Sequence, residues 1–384
     1  MKKKLCMFFI ATVLLSGCRE GIEVQGYWAT IADTSSRSLI TNFWNSERMY
    51  FNHMSESEYW GNHYWPQAHA LDVLVDAYLR SGDEFYRSLF VPWLTGVHRA
   101  NGNQWTNNYI DDMQWIGLAA LRAYHATGIP EFLTAVREVW DGTSDDMDSY
   151  HATFGIKRAW VDDEYGGIFW ESRRNRHTRN ACSNAPASIL AAHLYQAFGN
   201  PEDLEWAKKI YHWQREMLFN PETGAVYDSF NTLTGEINRR WIFTYNTGTH
   251  LGAALELYNI TGDMSYIDDA IKAADFTITT LINFEDNILR SEGRGDGGLF
   301  KGIFVRYFTQ LIMSDAIPEE TRNRYITFLT RNAEALWNEG TSRPKILFGP
   351  YWKTPPGEHT GLTEHLSGVM LMEAMALLER EGFL

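Results

Sequence analysis

Cysteine is scarce: 384 residues carry three, Cys6, Cys18 and Cys182. The first two fall in an N-terminal stretch that reads as a processing signal, which leaves one thiol for the body of the chain. One thiol builds neither an intramolecular disulfide nor a cysteine-based metal site. Positive charge is short as well. Against 48 acidic residues stand 34 Lys and Arg, a formal net charge of -14. That balance argues against holding nucleic acid or an anionic lipid surface by charge, and it suits a neutral substrate. The chain also lacks the period-two apolar runs of a sheet-based fold; short candidates such as Gly167-Ile168-Phe169-Trp170 are all it offers. What it has in quantity is apolar and aromatic matter. Hydrophobic residues make up 45% and include 15 Trp, enough to fill a large core and to leave some rings for stacking on sugar faces.

The N-terminus separates from the rest by composition. Lys2, Lys3 and Lys4 precede an apolar run, Leu5 to Leu14, that is too short to span a bilayer. It ends in Leu15-Ser16-Gly17-Cys18, which resembles the bacterial lipobox. The expectation is a signal peptide over 1–17, a lipidated Cys18, a tether over 18–36 and a catalytic domain over 37–384. The protein would then be exported and anchored to a bacterial membrane by lipid.

From there the chain alternates between two kinds of helical segment. Ile267, Ile271, Ala274, Ile278 and Leu281 form an apolar stripe beside Asp268, Lys272 and Asp275, a helix with one wet face. Similar segments run over roughly 35–47, 83–98, 131–140 and 319–338, with another marked by Leu204, Ala207, Tyr211 and Met217. Between them lie segments that are apolar nearly all round, such as Ala187 to Leu194 and Gly252 to Leu257, and these read as buried helices. Buried and wet segments meet at short joints: Ser81-Gly82-Asp83, Thr127-Gly128-Ile129-Pro130, Phe198-Gly199-Asn200-Pro201 and Thr261-Gly262-Asp263. Each offers Gly for a left-handed helix end, then a residue that starts the next helix. The other joints are long. Six buried and six wet helices, with tight turns at one end and long loops at the other, describe an all-α (α/α)6 toroid. Its long loops and the positive ends of the buried helices gather at one rim.

At that rim Asn108-Tyr109-Ile110-Asp111-Asp112 sets two adjacent carboxyls at the start of a buried helix. Breaking a glycosidic bond takes two carboxyls, one to protonate the leaving oxygen and one to attack or to activate water. Two acids so close resist double ionisation, which raises one of them as a general acid requires. Paired acids also cap helices without any catalytic role. The chain has comparison pairs, and of these Asp162-Asp163, in a rim loop, is the rival; Asp145-Asp146 and Asp268-Asp269 read as solvated.

Tyr109-Ile110-Asp111-Asp112 with Trp115 and Ala119 resembles the Asp-Asp motif of glycoside hydrolase family 76, the endo-α-1,6-mannanases. Phe300-Lys301-Gly302-Ile303-Phe304 and Tyr245-Asn246-Thr247-Gly248 are similar to two further blocks of that family. So are Gly166-Gly167-Ile168-Phe169-Trp170 and Asn180-Ala181. The likeness spans roughly 37–380. It implies cleavage of α-1,6-mannosidic bonds with retention, Asp111 as nucleophile and Asp112 as acid/base, and no metal or organic cofactor. Where the family usually places aromatic or acidic residues after the pair, this chain has Met113-Gln114.

The supporting residues follow from the rim. Trp65, Trp115, Trp170 and Trp241 are rings that could stack on sugar, and Asn180, Tyr245, Asn246 and Asp296 are candidates for hydroxyl contacts. Lys301 and Arg306 would hold acidic side chains in place. His359 and His365 around Glu364 are the nearest approach to metal-ligand spacing, and no metal is expected there. Two kinds of rival remain: another (α/α)6 carbohydrate enzyme, and a glycan-capture lipoprotein that binds without cutting. The first would be an unsaturated glucuronyl hydrolase or a sugar epimerase, the latter using His69, His250 or His365.

Overall fold

The computed structural model describes residues 26–56, 64–147 and 152–384. The signal segment, Cys18 and the start of the expected tether lie outside the described residues. Thirteen α-helices are present among those that are described. They are α1 (Tyr27–Phe43), α2 (Tyr64–Ser81), α3 (Glu84–Arg87), α4 (Phe90–Ala100), α5 (Ile110–Thr127), α6 (Pro130–Asp141) and α7 (Ala181–Phe198). There follow α8 (Pro201–Met217), α9 (Thr244–Thr261), α10 (Met264–Thr280), α11 (Asp296–Met313), α12 (Glu319–Asn338) and α13 (Leu362–Arg380).

Helices α2, α5, α7, α9, α11 and α13 form the inner ring. Each packs on the next, and α13 returns to α2 to close the circle. Their sides are buried almost all round, as in α7, where Ala181 through Leu194 are buried but for His193. The outer layer is α1, the α3–α4 pair, α6, α8, α10 and α12, one wet face each. This is the (α/α)6 toroid expected from the alternation.

Two boundaries differ from expectation. The first helix starts at Tyr27, so residues 27–36 are not tether: Trp28, Ile31, Ala32, Ser35 and Ser36 are buried against the ring. Their polar spacing hid an apolar stripe at helical period. The second outer segment is split at Ser88 and Leu89, because Pro92, in the first turn of α4, has no N–H to give to the turn before it.

The tight turns are those anticipated. Gly128, Gly199 and Gly262 sit at φ of 71°, 71° and 72° at the ends of α5, α7 and α9, a left-handed conformation that costs other residues more. Close ring packing has its own requirement: a Cβ on Gly248 would come within 2.6 Å of the Phe304 backbone, so α9 can approach α11 this closely only because position 248 has no side chain.

Sheet structure is confined to the long loops. Three two-stranded hairpins sit there: β1 (Trp44–Asn45) with β2 (Tyr50–Phe51), β6 (Ile282–Asn283) with β7 (Ile288–Leu289), and β8 (Thr341–Ser342) with β9 (Leu347–Phe348). A three-stranded sheet joins β3 (Thr178–Asn180), β4 (Ser229–Asn231) and β5 (Glu236–Ile237). Gly167 to Trp170 is not a strand; Ile168 makes one isolated bridge to Trp160.

At the closed end, where the inner helices finish, charge is neutralised in pairs. Arg122 reaches Asp72 and Asp76, Arg306 lies 2.9 Å from Asp76 and 3.8 Å from Asp72, and Arg80 lies 2.9 Å from Glu373. Arg306 thus holds acids as expected, at the face away from the rim. Among the described residues no helix is long and apolar enough to cross a membrane.

Candidate active site

An open cleft of about 680 Å³ lies at the rim, a size suited to an organic ligand of several rings rather than a lone ion. The inner helices deliver its floor in register. Trp65, Asp111, Cys182 and Tyr245 each occupy the second residue of their helix, in α2, α5, α7 and α9, and all four line the cleft. Asp296 opens α11 and joins them. Loops and the three-stranded sheet add Tyr109, Trp170, Asn175, Thr178, Asn180, Asp228, Ser229, Trp241 and Phe243.

The paired aspartates stand in the first turn of α5, Asp111 partly open to the cleft and Asp112 buried. The entry of α5 is pinned by the Ile110 N–H, which donates to the Trp170 carbonyl at 3.0 Å. Burial raises both carboxyls above the ordinary range, Asp111 to about 7 and Asp112 well above, with the charge of Asp111 and Asp296 adding to the rise at Asp112. Asp111 is held back by donors from Cys182 and Trp170, an advantage Asp112 lacks. The pair therefore favours one proton, resting on Asp112, with Asp111 the readier anion. One Asp111 oxygen, Oδ1, has no partner within the protein.

The rings form two walls. On one side Trp65 donates from Nε1 to Asp296 Oδ1 at 3.1 Å, with Trp115 6.5 Å from it between centroids. On the other, Tyr245 and Phe300 stack in parallel at 3.9 Å, and Phe243 packs 5.2 Å from Phe300. Trp241 is 59% exposed at the lip. Asn180 caps the start of α7, and its Oδ1 is also unpartnered.

Of the sequence-predicted residues, Asp111, Asp112, Trp65, Trp115, Asn180, Tyr245 and Asp296 come together in this cleft, with Trp170 and Trp241. Asn246 does not reach it. It is fully buried, and neither its amide nitrogen nor its amide oxygen has a hydrogen-bond partner in the protein. On α9 the residue after Tyr245 is turned about 100° from it, into the ring wall. Lys301 holds no aspartate. Its Nζ donates to the Pro350 carbonyl at 2.8 Å and lies 4.1 Å over the Trp352 ring, and burial lowers it to about 7.

The rival pair is structural. Asp162 pairs with Lys209 on the surface, and Asp163 Oδ1 accepts from the Tyr165 and Gly166 N–H groups. Met113 is core, and Gln114 donates to the Ser183 carbonyl at 2.6 Å, so neither departure from the family pattern faces the cleft. The candidate histidines are also spoken for. His250 is stacked between Tyr211 and Phe219, His365 between Phe43 and Phe348, and His69 is buried under Trp65 and Trp115. His359 faces Glu56.

Asn175, Thr178, Ser229 and Phe243 were not among the sequence candidates, nor were Asp228 and Cys182. Asp228 lies in a long loop with no motif around it, and burial raises its carboxyl above the ordinary range. Cys182 follows Asn180-Ala181, and its place, second in an inner helix as Asp111 is, was the available signal.

Comparison with known proteins agrees with this arrangement. The model of glycosyl hydrolase family 76 matches residues 27–384. The structure of the GH76A alpha-1,6-mannanase from Salegentibacter sp. HEL1_6 superposes with a TM-score of 0.84 at 42% identity, covering 91% of this chain and 99% of that one. An inactive variant of that enzyme, changed at two adjacent aspartates and in complex with alpha-1,6-mannotetrose, matches at 41% identity and a TM-score of 0.84, over 92% of this chain and all of that one. A mannan endo-1,6-alpha-mannosidase of Saccharomyces cerevisiae is 24% identical over 312 residues, 73% of this chain but 63% of its own length. This chain therefore spans less than two thirds of that relative.

Proposed function

Because the chain belongs to glycosyl hydrolase family 76, we propose that it is an endo-acting α-1,6-mannanase that works through Asp111 and Asp112. The observation that carries this reading is the adjacent pair itself, desolvated at the mouth of the toroid, one member open to the cleft and both raised by burial. A binding protein has no use for so costly a placement.

In this reading a mannosyl unit lies against Trp65, Trp115 and Tyr245, with hydroxyls taken by Asn180 and Asp296. Ionised Asp111 attacks the anomeric carbon while Asp112 passes its proton to the departing glycosidic oxygen. A mannosyl ester on Asp111 results. Water then attacks that ester, Asp112 takes the water proton, and Asp111 is released with the anomeric configuration retained. Among the described residues no group of three or more His, Cys, Asp or Glu is placed to hold a metal.

The test is digestion of linear α-1,6-mannan followed by sizing of fragments and NMR of the fresh anomers. Internal cleavage giving short oligosaccharides, α at first, is expected; binding without new reducing ends would sink the reading. We propose further that the protein is exported and lipid-anchored at Cys18, which rests on the lysine-led apolar leader and the Leu15-Ser16-Gly17-Cys18 sequence. Cys18→Ser should move the protein from the membrane fraction to the soluble one.

A further inference from the structure

The rim carries a second depression of about 720 Å³, more open than the cleft, between the β6–β7 hairpin and the loop that leads to α13. Asn283, Phe284, Glu285, Arg290, Ser291 and Tyr351 line it, and the chemistry at the paired aspartates uses none of them. The hairpin turn is closed by its own polar groups. The Glu285 N–H donates to Asn283 Oδ1 at 3.0 Å, the Ile288 N–H to Asp286 Oδ1 at 3.2 Å, and the Asn287 N–H to the Asn283 carbonyl at 2.9 Å. The turn is also tied to the second loop. Asn283 Nδ2 donates to the Tyr351 hydroxyl at 2.9 Å, and that hydroxyl donates to Asp286. Tyr351 itself stands between Pro350, whose carbonyl Lys301 holds, and the fully buried Trp352.

On this fixed floor the turn presents Phe284 at 74% exposure, the highest of any large hydrophobic side chain among the described residues. A lone exposed ring is ordinary on a protein surface. A ring held rigidly beside a depression that also offers a carboxylate, a hydroxyl and a guanidinium has the make-up of a sugar-stacking site. Its position adds a second argument. Arg290 Nη2 donates to the Ile242 carbonyl at 2.7 Å, and Ile242 stands between Trp241 and Phe243, both of which line the cleft. Depression and cleft thus meet at one stretch of chain. Glu292 lies 4.0 Å from the same guanidinium, whose side chain stays 42% exposed, with N–H groups left over for a ligand.

We propose that this depression is a distal subsite for the polymer that the cleft cuts: mannosyl units running out past Trp241 stack on Phe284 and give their hydroxyls to Arg290, Glu285 and Ser291. The inference rests on the reading of the chain as an endo-acting mannanase. An internal cut needs glycan on both sides of the broken bond, so a long strand must leave the cleft over its lip. A contact so far from the reacting atoms holds ground state and transition state alike, and its effect falls on KM.

Phe284→Ala tests this, with Phe284→Trp as the variant that keeps a ring. On long linear α-1,6-mannan, Phe284→Ala should raise KM roughly five- to tenfold, the worth of one stacked ring, with kcat unchanged. Its kcat/KM on α-1,6-mannotetraose should stay within about twofold of the parent, and Phe284→Trp should keep the parent KM on the polymer. The second measurement needs no turnover: electrophoresis of the Asp111→Asn/Asp112→Asn double variant through gels that contain α-1,6-mannan. Adding Phe284→Ala there should weaken the retardation by a similar factor. An unchanged KM on the polymer, or a loss equally large on mannotetraose, overturns the inference and leaves the mannanase reading standing. A parent protein that is retarded by mannan but cuts none of it defeats the mannanase reading, and the response of the retardation to Phe284→Ala still decides the subsite.

Discussion

Asp111 and Asp112 are ionisable groups kept where ionisation is expensive, and that cost gives two checks. Asp111→Asn and Asp112→Asn should each lower kcat on α-1,6-mannan by at least about a thousandfold, measured as reducing ends released. Neither change removes packing, so thermal unfolding should not suffer. Both carboxyls titrate higher folded than unfolded, with Asp111 near 7. Their stabilising contribution is complete at acid pH and is lost as pH rises through the folded values. The Tm of each Asn variant relative to the parent should therefore climb between about pH 4 and pH 7 in calorimetric scans; a flat difference would mean the pair is solvated. The sequence announced this pair because two acids beside a nearly unbroken apolar segment violate the usual patterning. It did not announce Asp228, which comes to the cleft by loop path alone, and it misplaced Asn246, since one helical step separates the cleft side of α9 from its buried side.

Among the elements, the helices and tight turns were readable because period, Gly ends and Pro starts act over a few residues. The start of α1 was not, for its buried face includes Ser35 and Ser36, whose hydroxyls find partners only after folding: Ser36 donates to Glu373 and Ser35 to the Ile31 carbonyl. The closed-end ion cluster is equally a product of assembly, joining α2, α5, α11 and α13. Arg122→Met would leave Asp72 and Asp76 underpaired in a largely buried place. A loss of about 3 kcal/mol is expected in urea unfolding. Because the cluster lies at the opposite end of the inner helices from the cleft, kcat/KM per folded molecule should stay within about twofold of the parent.

At the scale of the whole molecule, the net charge of -14 and an uncharged ligand leave little for long-range fields to do. Salt from about 10 mM to 500 mM, which shortens the reach of charge from roughly 30 Å to a few ångströms, should change kcat/KM on neutral mannan by less than about twofold. A steep fall would point to an anionic substrate instead.

The ring also has a front and a back. The Glu379 carboxylate, at the end of α13, accepts the Trp28 and Ala29 N–H groups at 3.2 and 3.0 Å, so α1 begins at the back. Gly26 therefore lies at the end of the ring away from the cleft. A copy held to a surface by that end sits like a cup on its base.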